Sequence, residues 1–581
     1  MLRRSGLGSD DVEWYIRYQL DLLELERGAQ YRAYLTTSSL TRVEVVVEGV
    51  SVPAYGGVLL RCSIIGGYSR PKVGSFVKIE DYMGGGRQLR GVLMCVKPGV
   101  LSFHVRGGVV PDIGDRFCLT LVYVDMTRKI AETLEMVRSN TSLLRDVILG
   151  LILPSPPKSI PSITEYFNLD LNIYQKDAVR FALSQQEVAI IHGPPGTGKT
   201  TVLVEIMQQV LSRDANSRIL LASGSNAAVD NLVRRLKTTG VQFKRLGHPS
   251  RVAHDLHSSL VDASQSGVGS GMGGLLGRVG LLLNISVTSA TLTTCMSKEL
   301  VAASTPPYDL IVVDESAQSL EYEHWAAIHR GRRLILAGDH LQLPPTVLSQ
   351  KSRTDLATSL MERLILDDVY PRVLLRIQHR SNRAIADWSS NQFYGSQVQS
   401  SEAAGTSLLS HLAGVMVCEL SNASLVLVST DGMPEMRVGP TGSYTNPGES
   451  SLVVQLVRKL VAMGLCPRDI GVISPYVGQV MLVSDCLADA YPDVAVSTVD
   501  GFQGMEREAV IFSAVRSNVK KRIGFLNDKR RLNVAVTRAR RQFTLIASES
   551  TVEGNVTFQS LIRHMRQYGL CLDQTDSISD F

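Results

Sequence analysis

At 581 residues and 44% hydrophobic content, the chain is too long for one ordinary core and apolar enough to bury several, so three or four domains are expected. Lys and Arg (60) barely outnumber Asp and Glu (55), which excludes a protein drawn to phosphate by its overall charge; any such attraction has to come from local clusters. No apolar run approaches the roughly 18 residues of a membrane span, and the opening MLRRSGLGSDD has no apolar core for a secretory signal.

In chain order, residues 1–39 form a first stalk helix, with Val12, Ile16, Leu20 and Leu23 at helical spacing. Residues 40–126 alternate in the strand manner, as in Arg42-Val43-Glu44-Val45-Val46-Val47, and are broken by glycine turns at 84–86 and 107–108, the pattern of a small β-barrel. A second stalk helix and a linker fill 127–160, where Pro154-Ser155-Pro156-Pro157 breaks the helix. From there short apolar strands alternate with helices: Val188–Ile191, Ile219–Ala222, Leu310–Val313, Leu334–Leu336, then Ile470–Ile473, Ala509–Phe512 and Phe543–Ile546. Such alternation predicts an α/β fold with parallel sheets, divided as one domain over 161–350 and a second over 351–560. The glycine-rich stretch at 264–280 is expected as a flexible surface insertion that holds no helix, and 561–581 as a C-terminal tail. The eight cysteines lie far apart without a C-x-x-C pair, which predicts reduced core thiols and no structural zinc. A monomer without membrane contact, in cytoplasm or nucleus, is the expectation.

The sharpest chemical signal is His192-Gly193-Pro194-Pro195-Gly196-Thr197-Gly198-Lys199-Thr200, a G-x-x-x-x-G-K-[ST] loop that follows an apolar strand and opens a helix. Prolines donate no N–H, so the phosphate cradle falls to the amides of Gly196, Gly198, Lys199 and Thr200, with Gly193, Thr197 and Thr201 completing the loop and helix start. Lys199 reaches the β- and γ-phosphates of ATP and the Thr200 hydroxyl holds Mg²⁺. A second apolar strand delivers Asp314 and Glu315 at its C-terminal end, where ligands of parallel sheets bind. Asp314 is the expected magnesium carboxylate and Glu315 the base that orients and deprotonates water. An Asp-Glu pair elsewhere is usually a solvated surface pair; its place at a strand end reverses that reading.

Taken in order, YQKDAV, GPPGTGKT, SNAAVDNL, TSAT, VVDESAQ, AGDHLQLPP, QHR, VDGFQGMERE and NVAVTRARR resemble the superfamily 1B helicases of the Upf-like group. Within that group QLDLLELER, RLGHP and EAVIFSAVRSN look most like the immunoglobulin mu-binding protein helicases. The resemblance implies two tandem RecA-like P-loop domains, with the β-barrel on its helical stalk as an accessory to the first. It implies ATP-driven 5′-to-3′ movement on single-stranded RNA or DNA. It also places Gln175 near the adenine, Gln342 as γ-phosphate sensor, Arg380 and Arg538 as arginine fingers, and Glu506 near the ribose. The chain departs from the family at His379, where a tyrosine usually stacks on the base, and at Met505, where an arginine is usual. The insertion after RLGHP is shortened to the glycine-rich stretch, and no zinc-finger or R3H module is expected.

For the nucleic-acid strand the candidates are Ser225 and Asn226, Ser289 and Thr291, and in the second domain Tyr476, Gln479 and Thr498. Short hydroxyls and amides bind phosphate and sugar without reading bases, as a motor crossing every sequence requires. Singly, such residues are more often helix caps or turn formers. The basic runs Lys520-Lys521-Arg522 and Lys529-Arg530-Arg531 add attraction or form a solvated face. The contacts do not depend on a 2′-hydroxyl, so RNA and DNA stay open. The competing reading is an ATP-gated clamp that remodels nucleoprotein without processive unwinding, favoured by Met505 and the short insertion.

Overall fold

Strands Val43–Ser51, Val58–Gly66, Phe76–Asp81, Gln88–Lys97, Val100–Val105 and Arg116–Leu121 close into an antiparallel barrel, in the order first, second, fifth, fourth, third, sixth. The barrel forms because alternate residues turn inward: Val45, Leu60, Ile79, Phe103 and Leu119 are all fully buried in its interior. The computed structural model describes residues 9–38, 43–52, 58–66, 75–82, 88–97, 100–105, 110–160, 163, 165–261, 272–438 and 442–572. The predicted glycine turns, the first part of the glycine-rich stretch and the chain from 573 onward lie outside these residues.

Two helices, Ser9–Ser38 and Thr127–Ser139, carry the barrel and are joined by a Glu13–Arg138 ion pair at 2.8 Å. The first helix is also anchored on the α/β domain that follows. Its Tyr15 hydroxyl donates to Glu321 Oε1 at 2.7 Å and accepts from the indole N–H of fully buried Trp325 at 2.7 Å. Its Glu26 carboxylate accepts the amides of Leu348 and Ser349 at 3.1 and 2.9 Å. A buried tyrosine and a buried glutamate satisfied in this way fix the stalk against the first domain, since leaving either unpaired costs about 1–3 kcal/mol.

The first α/β domain is a seven-stranded parallel sheet in the order Arg372–Leu374, Val188–His192, Leu334–Gly338, Leu310–Asp314, Ile219–Ser223, Val287–Thr291, Phe243–Arg245. The second is a six-stranded parallel sheet in the order Ala495–Thr498, Ile470–Ser474, Arg507–Ser513, Ala539–Ala547, Leu425–Ser429, Leu570–Leu572. Both sheets are covered on two faces, which explains the unbroken apolar strands: Ile311 and Val313 pack into one core and Leu310 and Val312 into the other. In the second sheet Leu425 and Leu427 face one core, Val426 and Val428 the other.

Four expectations are corrected. The first sheet does not end at 350, because Arg372–Leu374 pairs with the P-loop strand; three residues are too short a run to be recognised by periodicity. Residues from 561 are not all tail: the helix Val556–Tyr568 buries Leu561 and Met565, and Leu570–Leu572 is an edge strand. Within the glycine-rich stretch Met272–Leu283 is helical, held by fully buried Leu282 and an Arg278–Glu299 ion pair at 3.1 Å, so tertiary packing overrides the glycines. Among the described residues the eight cysteines form no disulfide, but Cys466, Cys486 and Cys571 are exposed rather than core thiols.

Candidate active site

The loop Gly193–Thr200 turns at the C-terminal end of Val188–His192 and feeds the helix Lys199–Arg213, two residues earlier than the apolar pattern begins. Gly196 and Gly198 sit at φ 73° and 83°, conformations that a side chain disfavours. Thr197 Oγ1 donates to Pro194 O at 2.7 Å, which stiffens the loop where the prolines supply no donors. Lys199 Nζ donates to Gly193 O at 3.1 Å and lies 3.7 Å from Glu315 Oε1, so it is poised across the cradle. Gln175 caps its helix reciprocally with Asn172 and donates through Nε2 to Thr197 O at 3.0 Å, which ties the expected adenine contact rigidly to the P-loop.

A Cβ on Gly193 would stand 2.0 Å from Lys199 Cγ. Gly193→Ala is therefore expected to push the lysine out of the cradle and weaken ATP binding roughly tenfold, the worth of one charge-assisted hydrogen bond. Titration with a fluorescent ATP analogue checks it; unchanged affinity with an unchanged melting temperature contradicts this role for the lysine's path.

Asp314 ends its strand with its carboxylate almost wholly buried. Burial, then the neighbouring Glu315 charge, pushes its carboxyl up, while Lys199 opposes the shift. A buried carboxylate with a second, partly exposed one beside it suits a divalent cation, and Thr200 at the helix start and Asp314 are the residues that would hold Mg²⁺. Glu315 adopts φ 51°, a left-handed conformation that a non-glycine residue seldom takes, with Asp314 Oδ1 accepting its amide at 2.9 Å. Gln318 Nε2 donates to its Oε2 at 2.5 Å, leaving Oε1 facing Lys199.

The second domain closes the pocket. Arg538, 3% exposed, donates through Nη2 to Gln342 Oε1 at 3.2 Å and through Nε to Val534 O at 3.1 Å. Burial, then the facing Arg380, pulls its guanidinium down to about 9, so it stays charged at neutral pH. Arg380 forms an ion pair with Glu506, which also pairs with Arg540. Burial pushes the Glu506 carboxyl up, but the two guanidinia outweigh it and hold it below the usual range. His379 is exposed, with its ring Nε2 3.2 Å from Asn172 Nδ2. A cavity of about 520 Å³ is lined by Gln175, the loop from Pro194 to Thr201, Glu315, Gln342, His379, Arg380, Glu506 and Arg538. Gly193 and Asp314 are not among the residues that line it. The connecting chain runs along the P-loop itself, with the Leu375 amide donating to His192 O and the His379 amide to Gly196 O, both at 2.9 Å.

The proposed strand contacts are not gathered in this way. Ser225 is exposed and caps the helix Asn226–Lys237, and Asn226 lines an open groove of about 750 Å³ with Ser75 of the barrel and Arg251. Thr498 is partly buried and accepts the Gly501 amide at 3.1 Å. Ser289 and Gln479 are fully buried: Ser289 Oγ donates to Lys244 O, and the Gln479 amide is spent on Asn446 and Ser513. Thr291 shares a hydroxyl bond with Thr294, and Tyr476 donates to Ile523 O at 3.2 Å. Of the basic runs, Lys521 pairs with Glu553, Arg530 with Glu362 and Arg531 with Asp500. Met505 is partly buried against the second-domain core. The residues missed from sequence are Arg235, whose Nη1 donates to Thr201 Oγ1 at 2.5 Å, and Arg540; each lines the cavity. The arginine pair in Leu532–Arg541 was the signal for Arg540, and Arg235 had none.

A P-loop on one parallel sheet, completed by arginines from a second, defines a two-domain P-loop nucleoside-triphosphatase. Two family models, each described as an AAA domain, match residues 170–268 with 279–350 and residues 356–550, together more than half of the chain. The DNA-binding protein SMUBP-2 of Rattus norvegicus is 33% identical over 97% of this chain and 64% of that protein. The DNA polymerase alpha-associated DNA helicase A of Schizosaccharomyces pombe is 34% identical over 67% of this chain and 65% of its own. The crystal structure of an arterivirus nonstructural protein 10 (helicase) aligns with TM-score 0.38 and 13% identity, covering 87% of this chain and 77% of that one. The chain belongs to the Upf-like superfamily 1B helicases and is a homologue of SMUBP-2. It spans 64% of the length of the rat SMUBP-2 that it matches.

Proposed function

We propose that the protein is a nucleic-acid-stimulated ATPase that moves 5′-to-3′ on single-stranded RNA or DNA and separates duplexes. The observation that carries this reading is the Arg538–Gln342 contact: the nucleotide pocket is complete only when both sheets contribute. Lys199 and the loop amides bind the triphosphate, and Glu315 takes a proton from the attacking water. Arg380 and Arg538 neutralise charge that develops on the phosphates, and bound Mg²⁺ supplies further neutralisation when held by Thr200 and Asp314. Because Arg538 and the P-loop lie on different domains, hydrolysis requires domain closure. Asn226, which lines the open groove, and the exposed Ser225 beside it are the residues for the strand.

Tailed duplexes test the reading: unwinding of a 5′-tailed and not a 3′-tailed duplex, with ATPase activity raised by matched RNA or DNA oligonucleotides over a salt series, is expected. Hydrolysis that ignores single strands overturns it. Met505, apolar and partly buried against the core where the family usually has arginine, favours the second reading, an ATP-gated clamp. Stimulated ATPase without duplex separation selects the clamp.

A further inference from the structure

We propose that the hydroxyl of Tyr394 is a positioning group that couples domain closure to the setting of Gln342 and Arg538; this rests on the ATPase reading of the same pocket. Tyr394 belongs to the second domain, following the helix Arg383–Phe393, and is 6% exposed. Its hydroxyl crosses to the first domain and donates to Asp339 Oδ2 at 2.7 Å. The same oxygen accepts Gln342 Nε2 at 2.7 Å. The other oxygen, Oδ1, lies 2.9 Å from His192 Nε2, the residue that opens the P-loop, and accepts the Leu341 amide at 3.1 Å.

Asp339 is 2% exposed, so its acceptor sites must be filled from within the protein. With its nitrogen held by Asp339, the Gln342 side chain has to present its oxygen to Arg538 Nη2, the orientation observed. The tyrosine is itself oriented from the second domain. Asn533 Nδ2 donates to the Tyr394 hydroxyl at 3.1 Å and to Leu341 O at 3.0 Å, while Asn533 Oδ1 accepts Ser389 Oγ at 2.6 Å. Asn533 lies on the helix Lys529–Val536, which leads directly into Arg538. One rigid unit of the second domain thus delivers both the guanidinium to Gln342 and the hydroxyl to the carboxylate behind it. The hydroxyl contact forms only in the docked arrangement, so it stabilises closure and fixes the γ-phosphate sensor together.

Tyr394→Phe keeps the ring in its core and removes only the donor. The expected result is ATP affinity within about twofold of the parent but single-turnover hydrolysis slower by roughly tenfold or more, the worth of a hydrogen bond to a charged group. In a Gln342→Ala background the same change is expected to cost clearly less than in the parent, because part of the hydroxyl's effect acts through Gln342; a purely structural role gives additive losses. Paired probes on the two domains are expected to report a smaller closed population with a non-hydrolysable ATP analogue. Hydrolysis within twofold of the parent, additive losses, or an unchanged closed population each overturn the proposal. A parent chain silent as an ATPase overturns the functional reading instead, and the probe distances still decide the coupling.

Discussion

Arg538→Ala is expected to bind ATP about as the parent does and to hydrolyse it on the order of 10³-fold more slowly, the loss typical of an arginine finger. Binding rests on the loop from Gly193 to Thr200 in the first domain, which the substitution does not touch. Hydrolysis is expected to rest on a guanidinium that lies 196 residues beyond Gln342 in the chain and meets it in the pocket. Lysine at this position rescues poorly, because a point charge lacks the planar fork that spans two phosphate oxygens. A surface arginine with an ordinary partner changes stability by at most about 1 kcal/mol and leaves turnover near normal. Single-turnover hydrolysis of a variant whose melting profile is intact separates the two, and a rate within a few-fold of the parent sinks the finger assignment.

Glu315→Gln is expected to retain ATP and single strands while turnover falls by about 10² to 10⁴, the usual contribution of a positioned base. The neighbouring Gln318 amide can still donate to the glutamine oxygen, so the side chain keeps its place. What is lost is the carboxylate oxygen that faces Lys199 and can accept a proton from water. Filter binding and steady-state hydrolysis on the same preparation check the split. Near-normal turnover removes Glu315 from the mechanism.

Part of this site is legible in the sequence because its geometry is local. A loop of eight residues from Gly193 to Thr200 carries its own turn, amides and lysine, and the pair Asp314-Glu315 is announced by the strand before it. The role of Arg538 came from resemblance alone, since nothing local in Asn533–Arg541 states which pocket it enters. Tyr394 and Asp339 meet across 55 residues and two domains, and no spacing rule reaches that far. The strand contacts fared worst for a chemical reason. Hydroxyls and amides suit phosphate, but they also cap helices and fill buried hydrogen-bonding positions, and Ser289 and Gln479 took the second use. Helix Met272–Leu283 escaped notice because it begins inside the glycine-rich stretch 264–280, while one buried leucine anchors its packing.

The route by which the chain passes between the two sheets has a mechanical consequence. Arg372–Leu374 lies beside the P-loop strand, and the residues that follow are stitched by their amides to His192 and Gly196. A rotation of the second domain about this segment would therefore have its pivot at the nucleotide pocket itself, and the far rim of that domain would travel furthest for a given change around the γ-phosphate.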